Sequence, residues 1–93
     1  MWEAQLRDAV RDRAVVTFRY KNETRTVEPH IVGYDADGEL LLSGWQLSGP
    51  RPDWRNFLVS KLAALTTTGD TFSRARPGYN PHDKSFRRVV ARL

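Results

Sequence analysis

The sequence predicts a mainly β fold: a small antiparallel barrel of about five strands, with a helix at its start and a short helix at its end. Three features predict it. The N-terminal residues carry an apolar face at helical spacing, the chain after them alternates at period two in short runs roughly ten residues apart, and clusters of Gly, Pro, Asn and Asp separate those runs.

Trp2, Leu6, Ala9 and Val10 fall at i, i+4, i+7 and i+8, opposite Glu3, Arg7, Asp8 and Arg11, so residues 2–13 are predicted as an amphipathic helix. The period then changes to two. Val16, Phe18 and Tyr20 share one face and Val15, Thr17 and Arg19 the other, which makes the first strand. A polar turn over Lys21–Thr24 leads into a longer strand from Arg25 to Tyr34. Pro29 interrupts it, and because proline cannot donate to a ladder, the strand must bend or lie at an edge there. Asp35, Ala36, Asp37 and Gly38 make a chain reversal. A third strand follows from Leu40 to Trp45, then a loop over Gly49–Asp53, a fourth strand from Arg55 to Val59, one helical turn over Ser60–Leu62, and a fifth strand from Ala63 to Thr68.

The tail has another character. Arg74 to Pro81 reads as an extended wrap, after which Asn80 and Pro81 cap a helix predicted over residues 82–92, with Asp83 in its first turn. Phe86, Val89, Val90 and Leu93 form its apolar stripe, opposite Lys84, Arg87, Arg88 and Arg92. Packing of that stripe on the barrel is expected; docking on a second subunit would instead make a dimer. The whole is read as one domain, with residues 1–73 as barrel and N-terminal helix and residues 74–93 as an extension packed on it.

Composition limits the function. A chain of 93 residues holds one core, and 40% hydrophobic with 28% charged residues describes a folded domain, not a disordered one. With no cysteine there is neither a disulfide nor a thiolate. No apolar run is long enough to span a bilayer and no signal peptide is visible, which leaves a cytoplasmic location and no membrane partner as the expectation. Charge is divided unevenly: residues 1–50 carry 6 Lys and Arg against 8 Asp and Glu, residues 51–93 carry 9 against 3, and most of the cations are arginine. Arginine suits bidentate contact with phosphate, so an anionic partner is expected.

Phe18-Arg19-Tyr20, then Val27-Glu28-Pro29, the Gly33-Tyr34 pair and Trp54-Arg55-Asn56-Phe57 resemble, in that order, the WYL domain family over about residues 4–65. The resemblance implies an SH3-like or Sm-like five-stranded barrel that serves as the ligand-sensing, regulatory part of a transcription factor. It also implies a pocket for nucleic acid or a nucleotide-like effector, with Tyr20, Pro29, Trp45 and Arg55 on the strands that form it. The family's eponymous triplet falls on Leu40, Leu41 and Leu42 here, of which only the third matches.

The residues themselves point the same way. Trp45, Arg51, Trp54, Arg55 and Tyr79 interleave flat rings with guanidinium groups, the combination that binds single-stranded nucleic acid by stacking and phosphate contact. Arg55 lies two positions before Phe57 and so is expected on the same face; if that face is buried, Arg55 needs an anionic partner, either Glu28 or a bound ligand. His30 follows Pro29 on its strand and is a further pocket candidate, although a structural histidine fits as well. The candidate ligand site is therefore Tyr20, His30, Trp45, Arg51, Trp54 and Arg55. No spacing matches a zinc site, a P-loop or a nucleophile elbow, and the Asp35, Asp37, Gly38 turn lacks the twelfth-position glutamate of a calcium loop. A binding role without catalysis, cofactor or metal is expected, the partner being single-stranded DNA or RNA or a nucleotide. The alternative is a protein-interaction or dimerisation module with no small ligand.

Overall fold

A computed structural model describes residues 2–93. The chain runs α1 (Glu3–Asp12), β1 (Ala14–Tyr20), β2 (Glu23–Tyr34), β3 (Leu40–Gln46), β4 (Asp53–Leu58), a 3-10 turn (Val59–Lys61), β5 (Ala63–Thr71) and β6 (Arg88–Arg92). All ladders are antiparallel. They form one six-stranded sheet in the order β4-β3-β2-β1-β5, with β6 added to β2. Among the described residues no ladder joins β4 to β5, so the sheet is open where a closed barrel was expected. The 3-10 turn links β4 to β5 along the chain.

The expected faces are the observed ones in the first half. Leu6, Ala9 and Val10 turn α1 onto the sheet, and Val16, Phe18 and Tyr20 are buried while Arg19 is exposed. Phe18 and Tyr20 each meet the ring of Phe57 edge-on, at centroid distances of 4.9 and 5.0 Å, the arrangement that ring quadrupoles favour. The β1–β2 turn is tighter than predicted. Lys21 and Asn22 alone make it, both left-handed with φ of 52° and 63°, and Glu23 already pairs with Tyr20. At the other end of β2, Asp35 accepts from the backbone N–H groups of Asp37 and Glu39, closing the predicted reversal.

β2 is central, and Pro29 bends it. The register against β3 slips between Pro29 and Ile31, so His30 has no partner across the ladder and forms a bulge. From Val27 to Gly33 every residue is buried, without alternation. Both faces of this stretch are covered: α1 and the main core lie on one, where Val27, Val32, Leu42 and Phe57 pack, and the segment 72–87 crosses the other, where Ile31 and Leu41 meet Phe86. That segment is called the strap below.

The predicted C-terminal helix is not formed. Asn80 and Asp83 do accept backbone N–H groups two residues on, from His82 and Ser85, but these bonds close successive turns instead of starting a helix. Residues 88–92 are strand β6. The ladder between β1 and β2 ends at Val27, leaving the backbone of Ile31–Tyr34 open on that side, and β6 pairs with this stretch. Tertiary demand thus overrides a sequence whose apolar spacing fits a helix, in a segment where Val89 and Val90 favour a strand. Gly33 makes the approach possible, since a Cβ there would lie 2.5 Å from the carbonyl oxygen of Arg88. Among the described residues no helix is long and apolar enough to cross a membrane.

Gly44 is a second forced glycine, opposite Pro29 at the bulge. A Cβ at this position would lie 2.5 Å from Val27 Cγ1 and 2.7 Å from the carbonyl oxygen of Glu28. Gly44→Ala is expected to cost about 1–3 kcal/mol, the usual range for overpacking a closed interior. Urea denaturation checks this; an unchanged midpoint would show that β2 and β3 are not held this close in solution.

Candidate ligand cleft and the strapped aromatic face

Glu28 heads the second face of the sheet. The bulge after Pro29 places its carboxylate and the His30 ring inside, with Glu28 4% and His30 0% exposed. A buried carboxylate needs a counter-charge, and Arg76 of the strap supplies it through two bonds, Nε to Oε1 at 2.7 Å and NH2 to Oε2 at 2.9 Å. The same guanidinium lies 5.7 Å from the centre of the Trp45 ring. Arg55, expected in this role, is exposed while Phe57 is buried, so the two do not share an environment.

His30 is fixed by its neighbours. Its Nε2 accepts the backbone N–H of Arg76 at 3.1 Å, so the proton is on Nδ1, which donates to the carbonyl of Glu28 at 2.8 Å. Both ring nitrogens are used, and the imidazole is neutral. Burial pushes its pKa below the ordinary 6.5, and the Arg76 charge lowers it further, against the opposing pull of the Glu28 carbonyl and carboxylate. Around it stand Trp54, edge-on at 4.8 Å, Phe72, stacked at 5.3 Å, and Tyr79 at 5.4 Å. Trp45 and Trp54 pair across β3 and β4 and meet edge-on at 5.5 Å.

The sequence-predicted residues are thus divided. His30, Trp45 and Trp54 come together on this face, under the strap. Tyr20 lies in the main core instead, where its hydroxyl accepts the backbone N–H of Leu58 at 3.2 Å. Arg51 is exposed in the β3–β4 loop. Arg55 borders a cleft of about 500 Å³ between β3–β4 and the strap, lined also by Ser43, Trp54, Asn56, Tyr79 and Asn80. Among the described residues no carboxylate lies within ion-pair distance of Arg55. Trp54 and Tyr79 are stacked at 6.4 Å beside this cleft, and Asp83 places one negative charge on its rim. Sequence reasoning missed Arg76, Phe72 and Ser43 as members of the face and its cleft. Arg76 stands 48 residues from Glu28, a separation with no periodic signal.

The family model described as the WYL domain matches residues 3–67. The chain belongs to the WYL domain family. WYL domains are regulatory domains of the ligand-sensing type. In this WYL domain the matched stretch contains Glu28, His30, Trp45, Trp54 and Arg55 and ends before the strap begins. Comparison with curated proteins and with solved structures gives no match.

Two outcomes follow from the geometry. Because the folded chain holds His30 with a lowered pKa, the unfolded chain binds more protons just below pH 6.5; stability is therefore full above that value and is lost as pH falls through it toward the folded pKa. Denaturation midpoints between pH 5 and 8 should show this slope, and His30→Gln, which keeps an acceptor but does not titrate, should flatten it. The same slope in both proteins would assign it to other groups. Separately, Arg76→Ala leaves the Glu28 carboxylate buried and unpaired. It is expected to cost about 1–3 kcal/mol, at the lower end because the Arg76 side chain is 40% exposed. Adding Glu28→Gln should recover part of that loss; strict additivity in the double-mutant cycle would deny the pairing.

Proposed function

We propose that this WYL domain is a non-catalytic sensing module that binds a negatively charged ligand of nucleotide size, free or at the end of a single strand of DNA or RNA, in the Arg55 cleft. The supporting observation is that Arg55, which has no ion-pair partner among the described residues, borders the same cleft as Trp54 and Tyr79. Its volume of about 500 Å³ falls in the range of small-molecule sites. In this reading Arg55 takes a phosphate, the rings contact the base, and Ser43, Asn56 and Asn80 offer hydrogen bonds to sugar and base edges. Tyr20 has no part in it, being spent on the core, and Trp45 is covered by Arg76. The excess of cations over the second half of the chain draws an anion toward the same side of the sequence. Nothing in the reading requires acid–base chemistry, since both nitrogens of His30 and both oxygens of Glu28 are already bonded.

Titration of the tryptophan fluorescence with mononucleotides and short oligonucleotides tests the proposal. Binding should weaken about tenfold or more in Arg55→Ala, as expected for loss of one charge-assisted contact. For single strands the slope of log K against log salt should be about −0.7 for each phosphate neutralised. An affinity indifferent both to salt and to Arg55→Ala would remove this function from the cleft.

A further inference from the structure

We propose that Glu28, His30, Trp45 and Trp54 form a recognition site for an arginine and the carbonyl of the residue after it in an extended polypeptide, filled in cis by Arg76-Pro77 of the strap and open to such a segment from a partner chain. Four side chains define the site, and between them they read three groups: the guanidinium, the backbone N–H of the arginine and the carbonyl of the next residue. Glu28 takes the guanidinium through both carboxylate oxygens. Trp45 lies under it. His30 Nε2 accepts the backbone N–H of the arginine, and the Trp54 indole donates to the carbonyl of the proline at 3.1 Å. A free guanidinium would satisfy only the first two. Lysine could not make the bidentate contact, because its ammonium is a point charge without the planar fork.

The position of each partner distinguishes this from an ordinary internal ion pair. The receiving groups are on the sheet, with Glu28 and His30 buried. The group they receive comes from outside. Between the buried anchors Phe72 and Phe86, every residue of the strap from Ser73 to Ser85 is exposed or only half-buried, and Arg76 itself keeps 40% of its side chain in water. The strap can therefore lift over this stretch without opening the core, the kind of local release that segments with few buried contacts undergo. Gly78 tightens the fit in cis: its φ is 88°, and a Cβ would stand 3.1 Å from Trp54 Nε1, so the chain can turn away at once after the proline. The partner implied is an extended segment of another polypeptide carrying an arginine, recognised through main chain and side chain together. This site does not depend on the Arg55 cleft binding anything. The two share only Trp54, and strap release would remove Tyr79 from the cleft wall.

The test uses the full chain and the peptide acetyl-Ala-Arg-Pro-Gly-Tyr-amide, observed through the indole N–H signals of Trp45 and Trp54. Arg76→Ala vacates the guanidinium position and leaves the strap held only by its two main-chain contacts, so this variant should bind the peptide saturably. The wild-type chain should bind it at least about tenfold more weakly, because the tethered strap competes at an effective concentration of about a millimolar or more. Lysine in place of the peptide's arginine should weaken binding to Arg76→Ala by about tenfold. Adding Glu28→Gln should abolish the preference for arginine. Should Arg76→Ala not fold, Arg76→Lys keeps a charge beside Glu28 and is expected to show the same order of affinities. No binding to Arg76→Ala, equal affinity in wild type and variant, or equal binding of the arginine and lysine peptides would each overturn the proposal. Because no nucleotide is present, none of these results bears on the cleft.

Discussion

Glu28 carries a carboxylate in the middle strand of the sheet, beside a proline, with almost no access to water. Removing a charge from water costs several kcal/mol unless a partner of opposite sign and further hydrogen bonds replace the lost solvation. The sheet itself offers no such partner. Arg76 does, and to reach Glu28 the chain must cross the whole second face of the sheet, covering His30, Trp45 and Trp54 on the way. The path of the strap, the neutral tautomer of His30 and the position of the cleft beside Tyr79 all depend on that one pairing. This is a specificity argument more than a stability argument, since a buried ion pair gives little net stabilisation over an apolar pair but penalises any arrangement that leaves one charge alone.

Much of the fold was legible because its periods are local. Val16, Phe18 and Tyr20 alternate, Leu6 and Val10 share a helical face, and Asp35 with Gly38 marks a reversal by chemistry that needs no tertiary context. The C-terminal element was misread for the opposite reason. Its apolar residues satisfy a helical stripe, and Asn80 with Pro81 resembles a helix start, but the deciding fact is the edge of Ile31–Tyr34 that β1 does not cover, because β1 begins only at Ala14, some seventy positions earlier in the chain. A periodicity argument contains no information about which backbone groups elsewhere lack partners. The bulge at His30 was half visible: Pro29 announced a break, but not which side chain it would turn inward.

The candidate site was legible as composition and not as geometry. The interleaving of arginine and aromatic residues is real, and His30, Trp45 and Trp54 do meet. What could not be read is which arginine they meet. Sequence proximity favoured Arg55, adjacent to Trp54 and two residues from a core phenylalanine, yet Arg55 is at the rim and Arg76 takes the buried carboxylate. Tyr20 shows the same limit. It belongs to a motif that resembles the family's pocket, but in so small a domain its ring is needed under Phe57, and its hydroxyl is satisfied by the backbone at Leu58.

The arrangement couples the two sides of Trp54. Its indole N–H holds the carbonyl of Pro77, which keeps the strap down, while the ring faces Tyr79 beside the cleft. Under the proposed function, a ligand in the cleft would favour the closed strap through Tyr79 and Gly78, and drawing the strap away from Glu28 would remove one wall of the cleft. If both proposed events occur, they are linked with opposite sign, and by reciprocity each weakens the other by the same factor. The segment on which such coupling would act is short: the exposed and half-buried run between Phe72 and Phe86, held at its middle by Glu28, His30 and Trp54 acting on two consecutive residues.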